Sequence, residues 1–217
     1  MIFIFASMEE IIVDRISLTK IKRVFVVTGY KSKEINEELV SLNKSKTIEI
    51  ISLYNPNWEK DNGISVLTAK NHIKSPFVLL MSDHLFLPDM LKQLIETKIE
   101  NNQTILAIDK QIKNNTLVDL DDVTKVKVDS NNILDIGKNI TGYNAFDTGM
   151  FLSSSYLFNA IEQSSRQGDS SLSGGMLILR QKQLAKAVEI QNARWIDVDT
   201  PEMLKKAAVF VEQGNFF

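Results

Sequence analysis

Cysteine is absent from the 217 residues, and histidine occurs only twice. The first absence excludes disulfides, thiol nucleophiles and thiolate metal sites, and two histidines make a zinc centre a poor fit. An excess of one charge is also missing. The formal net charge of −2 gives no electrostatic footprint for nucleic acid or for an anionic membrane. No apolar run is as long as a membrane span. The opening Met1-Ile2-Phe3-Ile4-Phe5-Ala6 is apolar but short, lacks a basic leader and runs into Glu9 and Glu10, so it does not read as a secretory signal. The expectation is a soluble cytoplasmic protein. What is present is a 44% hydrophobic chain of generous single-domain length, enough to bury a real core, and residues 1–217 are taken as one domain.

Apolar patterning organises the chain as alternating helices and strands. Met8, Ile11, Ile12 and Ile16 recur at helical spacing behind a capping Ser7. Val24 to Val27 is a strand apolar throughout, Ser32 caps a helix with Ile35, Leu39 and Leu42 inward, and Thr47 to Leu53 is a second strand. This β-α-β order predicts parallel pairing. A polar loop with Trp58 leads through Asp61-Asn62-Gly63 into a helix over 64–73. Asn62-Gly63 suits a turn, and it equally suits a close approach of backbone to a ligand at a helix N-terminus.

The stretch Pro76-Phe77-Val78-Leu79-Leu80-Met81-Ser82-Asp83-His84 is the centre of the pattern. Its apolar run reads as a strand buried on both faces of a parallel sheet. Ligands gather beyond the carboxyl ends of such strands, where Asp83 would sit. A carboxylate there suits Mg²⁺, and it also suits a turn whose amides need an acceptor. Pro88 opens a helix with Leu91, Leu94 and Ile95 inward, and Thr104 to Ile108 is a further apolar strand. Lys125-Val126-Lys127-Val128, a turn at 129–132 and Ile133 to Ile136 form a half-exposed hairpin, with Lys138 just past it. Phe146-Asp147-Thr148-Gly149-Met150-Phe151 is a strand interrupted by a polar centre, where the Gly indicates a bulge or a close backbone approach. A helix with Leu157, Phe158 and Ile161 inward follows, then one weakened by Gly174-Gly175. Short strands at 187–190 and 193–196 precede a last helix capped by Thr200 and Pro201. Asp83, Asp147, Asp197 and Asp199 all fall at strand ends or breaks, and Asp197 and Asp199 share one face of a strand.

Taken in order, Asp61-Asn62-Gly63-Ile64-Ser65-Val66-Leu67, Met81-Ser82-Asp83-His84, Ile136-Gly137-Lys138-Asn139-Ile140, Asp147-Thr148-Gly149-Met150-Phe151 and Trp195-Ile196-Asp197-Val198-Asp199-Thr200 resemble the sugar-phosphate nucleotidyltransferases. Within that family they are most similar to the inositol-1-phosphate cytidylyltransferase domain that makes CDP-inositol. The resemblance runs from near residue 7 to about 208. It implies a three-layer, Rossmann-like α/β fold of the GT-A-like kind with a mixed, mostly parallel sheet. It implies that Asp83 binds a Mg²⁺ ion with the pair Asp197 and Asp199, Asp199 being the better ligand. Asn62, Gly63, Ser65 and Ser82 would meet the nucleotide, Lys138 the acceptor phosphate and Asp147 the acceptor hydroxyls. Asp83 and Lys138 would be the catalytic groups. The implied reaction is attack of an inositol-1-phosphate, or related sugar or polyol phosphate, on the α-phosphorus of CTP. UTP, GTP or ATP, and a hexose phosphate or phosphocholine, remain open as substrates. The alternative is a catalytically silent binding module or regulatory subunit on the same fold.

The family pattern begins with a strand and a Gly-rich loop ending in Arg, and Met1 aligns just inside that pattern. The expectation is therefore an N-terminally truncated domain, or a relative that lost the loop, whose first, central strand is absent, leaving open strand edges for a partner subunit, for Ile2 to Phe5 or for a rearranged chain end to cover. In some relatives the domain is fused to a membrane-embedded phosphotransferase, which makes such an enzyme an expected partner and leaves a homo-oligomer open.

Overall fold

The computed structural model describes residues 7–212 apart from 75 and 114; the expected edge-covering segment Ile2 to Phe5 lies outside the described residues. Seven helices and ten strands alternate along it: α1 (Met8–Ser17), β1 (Arg23–Thr28), α2 (Ser32–Ser45), β2 (Glu49–Tyr54), α3 (Asn62–Thr68), β3 (Phe77–Leu80), β4 (His84–Phe86), α4 (Pro88–Glu96), β5 (Thr104–Asp109), β6 (Lys125–Asp129), β7 (Asn132–Gly137), β8 (Ala145–Ser153), α5 (Tyr156–Arg166), α6 (Leu172–Gln181), β9 (Ala185–Glu189), β10 (Trp195–Asp197) and α7 (Pro201–Glu212).

The three layers follow from the period-2 alternation of the central strands. In β5, Ile105 and Ala107 point to one side and Leu106 and Ile108 to the other; in β8, Met150 and Leu152 oppose Phe151. The first side is covered by Ile12, Val13 and Ile16 of α1, Leu39 and Leu42 of α2, and Met90, Leu91 and Leu94 of α4. The second is covered by Leu157, Phe158 and Ile161 of α5 and Met176 and Leu179 of α6. Gly175 lets α5 and α6 approach closely, because a Cβ there would lie 2.6 Å from Ile161 Cγ1. The Gly pair that weakens a lone helix thus serves packing here.

Sheet topology departs from the sequence expectation in an informative way. A six-stranded sheet has the order β3-β8-β5-β9-β7-β6, and β1 and β2 form a separate parallel pair. The six-stranded sheet is mixed. β3, β5, β6 and β9 run one way and β7 and β8 the other, yet the only parallel neighbours are β5 and β9. The reason is β8, which inserts between β3 and β5 and reverses both pairings. Consequently β3 is not a strand flanked by parallel neighbours. Among the described residues it pairs with β8 on one side only, and it is half-buried along its length, although Val78 and Leu80 pack into one core and Phe77 and Leu79 into the other. Among the described residues, β1 and β3 each keep one edge without a ladder.

Two local expectations are corrected. The helix predicted over 64–73 starts at Asn62 and ends at Thr68, because the chain turns over residues 70–72 before β3. Ser32 is the first helical residue rather than the cap; Lys31, in the left-handed region at φ 50°, precedes it without a side-chain capping bond.

Candidate active site

Backbone pairing brings the first carboxylates together. β4 and β10 form an antiparallel ribbon whose register sets Asp197 opposite His84, and the Val198 N–H donates to the Asp83 carbonyl at 2.9 Å. Asp83, from the β3–β4 turn, and Asp197, at the end of β10, therefore share one small space. His84 lies between them, its Nε2 3.8 Å from Asp83 Oδ1 and 3.5 Å from Asp197 Oδ2. A second acidic group, Asp122, Asp197 and Asp199, is built on the same Asp197. Asp83 Oδ1 and Asp197 Oδ1 are buried without a hydrogen-bond partner.

β8 supplies the floor. Its register shifts opposite Leu106 to Ile108, the bulge expected at the polar break, and Gly149 there takes φ 73°. Asp147 Oδ1 accepts from the Gly149 N–H at 2.7 Å, and the Thr148 carbonyl lies 2.8 Å from His84 Nδ1. The His84 ring stacks on Trp195 at 5.2 Å, and Trp195 Nε1 donates to the buried Asp109 carboxylate at 3.2 Å.

A cavity of about 300 Å³ opens over these groups. It is lined by Asn62, Asp83, Lys138, Asp147, Asp197 and Asp199, six of the residues that the sequence singled out. Gly63, Ser65 and Ser82 are not on its lining. Gly63 is pressed against the chain instead: a Cβ would lie 2.2 Å from the Ser170 carbonyl. Asn62 Oδ1 accepts from the Leu172 N–H at 2.9 Å, Ser65 accepts from Asn55 Nδ2 at 3.0 Å, and Ser82 is exposed in the turn. The close approach read at Asn62-Gly63 is real, but the neighbour is the loop before α6. Sequence reasoning gave no role to Asp122, His84 or Trp195. Lys138 Nζ donates to Asp122 Oδ1 at 2.5 Å across the base of the β6–β7 hairpin, a contact that no local pattern encodes.

Charges in the site are shifted by their neighbours. Burial pushes His84 down, but the bond and charge of Asp197, the Asp83 charge and the Thr148 carbonyl outweigh it and raise the imidazole to about 9. Burial raises Asp147 to about 6, against the Gly149 N–H. Lys138 holds Asp122 low, whereas partial burial and the charges of Asp197 and Asp122 raise Asp199. The His84 shift carries a stability consequence. A base with a folded value above its usual 6.5 contributes stability fully present below pH 6.5 and lost as pH rises through about 9. The metal-free protein is therefore expected to melt lower at pH 9 than at pH 6.5, by on the order of 2 kcal/mol. Thermal melts of His84→Gln should lack that part of the slope; an identical pH dependence in the variant would refute the shift.

No family model matches the chain. A bifunctional IPC transferase and DIPP synthase of Thermococcus kodakarensis is 30% identical over 189 residues, 86% of this chain and 40% of that protein. The protein of the same description from Aquifex aeolicus is 29% identical over 185 residues, 83% of this chain and 39% of that one. The chain thus spans about two fifths of the length of these curated relatives. The solved inositol-1-phosphate CTP transferase from T. maritima superposes with a TM-score of 0.78 at 27% identity, covering 92% of this chain and 80% of that one. This is the sugar-phosphate nucleotidyltransferase fold. A UDP-glucose pyrophosphorylase solved with UDP-glucose shares the nucleotidyltransferase fold at a TM-score of 0.75 and 13% identity. The likeness read from the five ordered motifs is borne out, and the acidic cavity lies at the strand ends of that fold.

Proposed function

We propose that this chain is a nucleotidyltransferase that moves CMP from CTP onto inositol-1-phosphate, or a related sugar or polyol phosphate, and releases pyrophosphate. The observation that carries the reading is the convergence of Asp83, Asp197 and Lys138 on one cavity in a chain homologous to an inositol-1-phosphate CTP transferase. An acceptor phosphate oxygen attacks the α-phosphorus in line as the bond to the β-phosphate oxygen breaks, and pyrophosphate carries that electron pair away. No protein nucleophile is required; catalysis rests on positioning and on neutralising phosphate charge.

The buried, unpartnered oxygens of Asp83 and Asp197 fit a divalent ion, which needs hard oxygen donors free of competing hydrogen bonds. When bound, such an ion neutralises charge on the triphosphate. The chain's own groups do the rest. Asp83 and Asp197, with Asp199 beside them, would hold the ion. Lys138 exchanges Asp122 for the acceptor phosphate, and the Asp147 carboxylate accepts from acceptor hydroxyls. Asn62 faces the nucleotide, while Gly63 and Ser65 hold α3 in place against 170–172 and Asn55; Ser82 belongs to the same nucleotide side. A CDP-alcohol phosphotransferase is the proposed consumer of the product, since the curated relatives are bifunctional. Among the described residues no helix is long and apolar enough to cross a membrane.

Incubation with CTP, Mg²⁺ or Mn²⁺ and inositol-1-phosphate should release pyrophosphate and form CDP-inositol. Failure with every nucleoside triphosphate and polyol phosphate tried would defeat the reading. Lys138→Ala should raise the KM for the acceptor phosphate roughly 10-fold to 100-fold, the worth of a charge-assisted hydrogen bond. Stability should stay within about 0.5 kcal/mol, since the Lys138–Asp122 pair is about half exposed. An unchanged KM would remove Lys138 from the acceptor site. A second reading is a binding module without turnover. Ligand binding without pyrophosphate release would select it.

A further inference from the structure

Among the groups on the cavity, His84 is the one that a purely carboxylate site leaves unexplained. It is nine-tenths buried, yet it is an ionisable ring set against two acids. We propose that His84 is a third protein ligand of the divalent ion, through Nε2, and that the site consequently prefers an ion of the Mn²⁺ or Co²⁺ class to Mg²⁺. The inference rests on the nucleotidyltransferase reading of Asp83 and Asp197 and deepens it.

Four observations converge. First, the outer nitrogen is anchored as a metal-bound histidine's is. Nδ1 lies 2.8 Å from the Thr148 carbonyl, so its proton is committed there and Nε2 faces the acids. Second, the ring plane is fixed by the Trp195 stack, itself held by the Trp195 Nε1 bond to Asp109. Third, one donor atom from each of Asp83, His84 and Asp197 lies within 4.8 Å of the others. Neighbouring ligands on an ion with bonds of about 2.1 Å stand about 3 Å apart, so the 3.5 and 3.8 Å separations need only a small contraction. Fourth, Asp83 Oδ1 and Asp197 Oδ1 are buried and make no hydrogen bond within the protein. Imidazole nitrogen suits transition ions, whereas Mg²⁺ favours oxygen throughout.

A different role for the same ring is a fixed imidazolium clamp between two carboxylates. The two roles predict opposite signs. Removing a ligand loosens the ion, whereas removing a cation beside the site tightens it. Mn²⁺ binding to the full chain, followed by loss of the free-ion paramagnetic resonance signal, and Mg²⁺ binding by competition, are measured for the wild type, His84→Gln and Asp197→Asn. The expected result is that His84→Gln loses Mn²⁺ affinity about 10-fold to 100-fold, changes Mg²⁺ affinity less than about threefold, and so collapses the preference. Unchanged or tighter Mn²⁺ binding in His84→Gln, with binding abolished by Asp197→Asn, overturns the ligand role and leaves the enzyme reading intact. No binding of either ion to the folded wild type overturns both. Nitrogen hyperfine coupling between bound Mn²⁺ and ¹⁵N-histidine in the wild type gives a readout that survives any folding failure. His72 packs at a tilt against Phe25, away from the cavity lining, so His72→Gln assigns the signal. Absence of coupling refutes the inference.

Discussion

Asp197→Asn should lower kcat about a thousandfold and leave the protein folded. Asp197 is the one residue common to both acidic groups, with Asp83 and His84 on one side and Asp122 and Asp199 on the other. An amide keeps the shape but removes the charge that, under the proposed function, would hold an ion against a triphosphate whose negative charge redistributes in the transition state. Removing one such electrostatic element costs about 3–4 kcal/mol, and each 1.36 kcal/mol is a factor of ten in rate. The loss should fall on kcat more than on the KM for the acceptor, because the acceptor's phosphate is assigned to Lys138. Asp199→Asn is the comparison. Asp199 is the more exposed of the two and faces Asp122, so its loss should cost about tenfold. Steady-state kinetics of the two variants decides the order, and an equal or reversed ranking would move the ion from Asp197 to Asp199. The outcome bears on what the sequence alone implied, since there Asp199 was the better ligand.

The choice between Asp197 and Asp199 marks where sequence reasoning reached its limit. Strand identity was legible because it rests on local patterning: Ile105 to Ile108 is apolar at every position and is buried at every position. Local turn chemistry was legible too, so the β6–β7 hairpin and the β8 break lie where the residues place them. Asp197 and Asp199 share a face in any extended strand, but β10 ends at Asp197. Only the β4–β10 register decides which of the two meets Asp83, and register is a tertiary property. Strand neighbours were lost for the same reason. Nothing local in Phe77 to Leu80 announces that β8 returns to lie beside it, from some seventy residues further on, with the opposite direction. Three of the cavity-lining residues, Asp83, Asp147 and Lys138, sit where a strand breaks or ends, a position that periodicity itself exposes. Asp122 is in a loop and gains meaning only from Lys138, so no one-dimensional signal marks it.

Gly149→Ala should be severely destabilising for the addition of a single methyl group. Two costs coincide at that position. The backbone sits at φ 73°, where an L-residue pays about 1–2 kcal/mol. The new Cβ would also lie 2.4 Å from His84 Nδ1 and 2.9 Å from Met81 Cγ, with β3 and β4 behind them. Neither neighbour moves freely: His84 is stacked on Trp195, and the Met81 N–H donates to the Gly149 carbonyl at 3.0 Å. Overpacking of this kind costs about 1–3 kcal/mol. The sum is about 2–5 kcal/mol, a fall in Tm of about 5–15 °C for a domain of this size. Activity should fall by more than the folded fraction does, because relieving the clash pushes His84 off the Thr148 carbonyl and respaces Asp83 and Asp197. Gly168→Ala separates the two contributions. Gly168 has φ 97° but nothing within 4 Å of its would-be Cβ, so it carries the backbone cost alone. Calorimetric melts should place Gly149→Ala well below Gly168→Ala, and kinetics should show a loss in the first and none in the second. Equal melting points would mean that the His84 ring is not wedged against β8, and the fixed geometry on which the ion site depends would go with it.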